Sequence, residues 1–109
     1  MNVQPEIVEV VRQWVRKAEH DLEAAKRIMA IVEGCPFDMV CFHCHQAAEK
    51  YLKCLLTYLS IQAPNPYSVE VRYSDDWCEP RLSDAQRALT LAADVRAAVL
   101  KLIPPLVAN

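Results

Sequence analysis

Glycine is nearly absent from this sequence: Gly34 is the only one in 109 residues. Strands joined by tight turns need residues that accept positive φ, so a hairpin-based β architecture is not expected. A basic excess is missing too. Twelve Lys and Arg stand against fourteen Asp and Glu, for a net charge of −2. Bulk neutralisation of nucleic-acid phosphates is therefore not expected, although a local basic patch has room to exist. No apolar run approaches the ~20 residues of a membrane helix. The first seven residues lack the basic start and apolar core of a signal peptide, so a cytoplasmic location is expected. The cysteines number five, an odd count that cannot pair fully within one chain. Without a secretion signal they are expected to be reduced, most of them serving as small buried hydrophobes. Neither a glycine-rich phosphate loop nor a Gly-x-Ser-x-Gly elbow occurs, so any phosphate site must use side chains or helix N-termini. No catalytic residue is assigned.

What is present is helical periodicity. Hydrophobic residues make up 53% of the chain and charged residues 24%, the balance of one soluble domain spanning residues 1–109. A first helix is expected from about Pro5 to about Val32. Its stripe is Val8, Val11, Val15, Ala18, Leu22, Ala25, Ile28 or Met29, and Val32. Gly34 and Pro36 supply the stop. A second helix should begin near Phe37 or Asp38 and reach about Leu59. It is apolar over most of its circumference, so it must be central in a bundle or covered on a second side by a partner. Residues 60–82 break the pattern: Ala63 to Pro66 is turn chemistry, and Ser68 to Tyr73 alternates like an extended segment. Ser83, followed by Gln86, reads as an N-cap with a capping box opening a third helix. That helix carries Ala85, Leu89, Ala92 or Ala93, Val95 or Arg96, Val99, Leu100 and Ile103, and Pro104-Pro105 stops it. The expectation is an all-α, up-and-down antiparallel bundle with three long helices, whose small core oligomerisation would help.

The wording of these segments resembles the HEPN family, the helical domains named for nucleotide binding in higher eukaryotes and prokaryotes. The first helix has Trp14, Lys17-Ala18, Asp21-Leu22 and Ala25. The second has Phe42-His43, Gln46-Ala47-Ala48-Glu49-Lys50, Leu52-Lys53 and Leu55-Leu56. Val69 and Arg72-Tyr73 follow, ahead of the Ala-rich final helix. Two departures stand out: His45 replaces a usual glutamine, and the segment between Asn65 and Tyr67 is short where members carry a further helix. The resemblance implies a bundle of four to five helices. It also implies homodimerisation and, for many members, partnership with a minimal nucleotidyltransferase in a two-component, toxin–antitoxin-like system.

Phe42, Gln46, Glu49, Lys50 and Lys53 share one face of the second helix, and Lys17 and Asp21 match them on the first. The plain account is two surface ion pairs, Glu49–Lys53 and Lys17–Asp21, each contributing a few tenths of a kcal/mol. The functional account is a polar groove binding a nucleotide: lysines for phosphate, Gln46 for base or ribose. The ligand-binding set is then Lys17, Asp21, Gln46, Glu49, Lys50, Lys53 and Arg72. No cofactor is expected besides such a nucleotide.

Cys41-Phe-His-Cys-His45 spells the attachment motif of c-type haem, but that chemistry needs export, and the motif sits within a helix. Cys41, Cys44 and His45 share a face and could offer zinc three ligands, with His43 pointing elsewhere and Cys35, Cys78 or His20 as a fourth. Buried thiols and surface imidazoles are the simpler account, and no metal ligand is assigned. Ribonucleases of the resembled family place four to six residues between an arginine and the histidine paired with it. Arg16 and His20 are one residue too close, so a ribonuclease reading requires catalytic Arg and His outside these residues.

Overall fold

The computed structural model describes residues 5–59 and 79–103. Three α-helices account for most of them: α1 (Pro5–Met29), α2 (Phe37–Tyr58) and α3 (Leu82–Leu102). The all-α bundle is as expected, and none of these helices is long and apolar enough to cross a membrane. Residues 60–78 lie outside the described residues, including the turn and extended readings there, Arg72 and Cys78.

The buried residues of α1 are Val11, Val15, Ala18, Leu22 and Ala25, and those of α2 are Val40, Cys44, Ala47, Tyr51 and Cys54. Both series step by four, three, four, three. That is the heptad seam that lets two helices interlock at a shallow angle. Ala85, Ala92 and Val99 on α3 repeat every seven residues, and with Ile103 they join the same core. Alanines at 18, 25, 47, 85 and 92 let the backbones approach closely, and Tyr51 is the largest side chain wholly removed from solvent. α2 packs against both neighbours while α1 and α3 scarcely touch, so α2 is the central helix.

Direction is read from paired residues. Cys54 Sγ lies 3.8 Å from the Val11 carbonyl, and Lys50 reaches Asp21, so α1 and α2 are antiparallel. On the other side Cys41 lies near Asp84, and Tyr51 near Arg96. These pairs advance together along both helices, so α3 runs parallel to α2. The alternation expected of an up-and-down bundle therefore holds for α1 and α2 only. α2 ends and α3 begins at opposite ends of the bundle.

The ends of the helices differ in detail from expectation. α1 stops at Met29, short of Val32, which is 94% exposed. Its last turn tightens: Ile31 N–H donates to the Ile28 carbonyl at 3.0 Å, and Cys35 Sγ donates to the same oxygen at 3.2 Å. Those donors replace the next helical amide. Gly34 does take the left-handed conformation, at φ 69°, but within the connection rather than at the helix end. α3 starts one residue before Ser83. Arg81 is its N-cap, and the Asp84 carboxylate accepts the Arg81 N–H at 2.8 Å. An aspartate three residues into the helix performs the reach-back expected of Gln86, and its charge also favours the first turn. Ile103, which precedes Pro104, is extended as a pre-proline residue should be.

Candidate functional site

The core stripes of α1 and α2 leave a polar seam on one flank. Trp14, Lys17 and Asp21 line it from α1; His43, Gln46, Lys50 and Lys53 line it from α2 at steps of three, four and three. Helical spacing alone puts these side chains beside, not within, the interlocking core.

One end of the seam is built on Asp21, whose side chain is only 15% exposed. Lys50 Nζ donates to its Oδ2. His43 Nδ1 lies 2.9 Å from its Oδ1. Burial by itself would raise the Asp21 pKa, but the hydrogen bonds and charges of Lys50 and His43 outweigh it and hold the carboxyl below its usual value. An ionised carboxylate has no proton to give, so His43 Nδ1 carries the hydrogen of that bond. The imidazole is thereby oriented, and the Phe42 ring meets it edge-on with centroids 5.3 Å apart.

The other end is built on Trp14. Lys17 Nζ lies 5.4 Å from the indole centroid and Lys53 Nζ lies 5.3 Å from it, both in cation–π range. Lys53 also makes a loose 3.7 Å contact with Glu49. The expected Glu49–Lys53 pair is thus present. The expected Lys17–Asp21 pair is not: Asp21 turns to α2 and Lys17 to the indole. The part-buried junction explains this, since a carboxylate there gains more from two desolvated donors than from one exposed lysine on its own helix. Gln46 is half-buried on the same stripe, and Phe42 is exposed. Arg72 lies outside the described residues.

Two members of the seam, Trp14 and His43, were not among the residues expected to form it. Both had a signal: Trp14 stands one heptad before Asp21, and His43 one heptad before Lys50.

The cysteine–histidine cluster does not converge. Cys44 is buried in the core, Cys41 is half-buried and His45 points to solvent. Burial pushes the Cys44 and Cys54 thiols up to about 11, and burial together with Asp84 and Asp38 raises Cys41. Among the described residues no group of three or more His, Cys, Asp or Glu is placed to hold a metal ion.

A second polar cluster joins all three helices. Arg96 Nε donates to Glu19 Oε1 at 2.8 Å, clasping α3 to α1. Beneath it lies Tyr51, wholly buried, its hydroxyl making no hydrogen bond of ordinary geometry. Burial, then the nearby Glu19 carboxylate, raises that phenol's pKa.

Comparison with known families finds one match. The family model described as HEPN domain matches residues 11–69, which takes in both helices of the seam. Neither the curated proteins nor the solved structures contain a match to this chain.

Proposed function

This chain belongs to the HEPN family, and from that premise we propose that it is a binding and assembly module rather than an enzyme. In this reading the α1–α2 seam takes a nucleotide. The protein pairs with a second copy of itself and with a minimal nucleotidyltransferase, in a two-component system of toxin–antitoxin type.

The observation that carries the nucleotide half is the seam itself. Along one helix junction stand Lys17 and Lys53 against the Trp14 indole, a half-buried Gln46, and Lys50 paired with Asp21. Such groups offer an anion its charge complement and a base or ribose its hydrogen bonds. The assembly half rests on α2. Although central, it leaves Phe42 at 46% and Leu52 at 49% exposure outside its own core, with Leu59 just past its end at 51%. A helix apolar on both sides calls for cover on both.

The ribonuclease reading gains nothing from the described helices, where His20 and His45 are exposed and His43 is held by Asp21. Nor does the metal-binding reading through Cys41, Cys44 and His45, which among the described residues are not grouped to hold a metal ion.

Isothermal calorimetry with ATP and GTP on the full chain tests the nucleotide half. Saturable heat is expected for at least one, and no heat for either removes it. Co-expression with the nucleotidyltransferase of a neighbouring gene tests the partnership. A stable co-purifying complex is expected, and separate elution of two folded proteins counts against it.

A further inference from the structure

The two ends of the seam treat their lysines differently. At the Asp21 end, Lys50 and His43 share one ionised carboxylate, so the Lys50 charge is already balanced within the protein. At the Trp14 end the centre of the cluster is an indole, which attracts a cation through its ring face without cancelling its charge. Lys17 is exposed, and among the described residues no carboxylate lies within ion-pair distance of it. Lys53 has only the 3.7 Å contact with Glu49. Both ammonium groups are nevertheless kept within 5.4 Å of one ring centroid. Two like charges drawn to one point raise the local potential, and an anion arriving there relieves their repulsion.

We infer that the seam is polarised. Trp14, Lys17 and Lys53 form the subsite for the phosphate or pyrophosphate group of the ligand, and the Asp21–Lys50–His43 cluster is a closed latch between α1 and α2 that takes no phosphate. This rests on the nucleotide half of the reading above and decides which lysines serve it. A nucleotide then lies with its phosphates toward the N-terminal half of α1 and its nucleoside toward Gln46. The Asp21 carboxylate repels any phosphate placed at the other end.

Trp14 supplies the probe, because Trp77 is the only other tryptophan and Trp77→Phe leaves one indole to report. Inorganic pyrophosphate titrated into that variant should change Trp14 fluorescence saturably. Lys17→Ala and Lys53→Ala should each weaken binding up to about fivefold, the scale of one exposed ion pair, and together by more. Lys26→Ala, an exposed lysine elsewhere on α1, should change nothing. Asp21→Asn should tighten binding severalfold by releasing Lys50 and His43 to the anion; a thermal melt checks that it is folded, and the lysine variants decide if it is not. Binding unchanged in Lys17→Ala and Lys53→Ala overturns the inference, as does weaker binding by folded Asp21→Asn. Should ATP bind by calorimetry while pyrophosphate leaves Trp14 unaffected, the polarity fails alone. Should no nucleotide bind, the nucleotide reading fails and the polarity with it.

Discussion

Replacing Asp21 by Asn tests whether the latch contributes to stability or merely decorates the surface. Asn keeps the shape and removes the charge, leaving Lys50 and His43 three-quarters buried beside a neutral amide. Removing one partner of a fully buried ion pair costs about 3–5 kcal/mol, and of an exposed pair at most about 1 kcal/mol. With side chains 15–25% exposed, this cluster sits between those limits, so a loss of about 2 kcal/mol is expected. In a domain of this size that is a fall of roughly 10 °C in Tm. Urea denaturation followed by far-UV circular dichroism gives the difference directly. The pH dependence supplies a second check. The Asp21 pKa is lower folded than its ordinary 3.8, so its contribution is present above that value and is lost as pH falls through the folded value. The gap between wild type and Asp21→Asn should therefore close on acidification below about pH 4. A neutral-pH difference under about 0.5 kcal/mol would refute the reasoning, as would a gap that widens in acid.

Other substitutions probe the remaining clusters. Tyr51→Phe removes a buried hydroxyl without a hydrogen bond of ordinary geometry. It should be neutral or stabilising by up to about 1 kcal/mol, and a larger loss in a urea melt would reveal a partner for that oxygen. Cys44 and Cys54, with thiols near 11, should be about one part in a thousand thiolate at pH 8. Disulfide-exchange reagents followed by mass mapping should therefore modify Cys35 well before either, and equal rates would mean the core opens readily. Phe42→Glu with Leu52→Glu should convert a dimer to a folded monomer in light scattering, and an unchanged mass would place the self-contact elsewhere.

Much of the architecture was legible because it depends on local spacing. The apolar stripe of α1 names its own buried positions, and the beginnings of all three helices fall within a residue or two of expectation, whereas α2, apolar over most of its circumference, does not reveal which face is core. The direction of α3 was not legible. It depends on which end of α2 meets Asp84 and Arg96, and no local pattern encodes that. The partner of Asp21 was misread for a related reason. Spacing along one helix offers Lys17, whereas the energetics reward the desolvated donors of the neighbouring helix. Arg96 and Glu19 repeat the lesson: no spacing along either helix pairs them, and together they tie α1 to α3.

The heptad explains why one seam has two chemistries. Trp14 and Asp21 occupy the same heptad place on α1, and Gln46 and Lys53 share one on α2, as do His43 and Lys50. In an antiparallel pair, moving back one heptad on α1 moves forward one on α2, so the place equivalent to Lys50 at the Trp14 level is held by Thr57, and the cation there, Lys53, comes from the Gln46 row. Both the α2 row that supplies the cation and the α1 residue it meets therefore differ between the two levels. On α1, a carboxylate neutralises the cations it meets and fastens the helices; an indole gathers them and leaves their charge available. Exchanging the two, as Trp14→Asp with Asp21→Trp, should move the anion-responsive end of the seam toward Lys50. If pyrophosphate binding instead stayed with Lys53, the charge balance at each level would not be what selects the subsite.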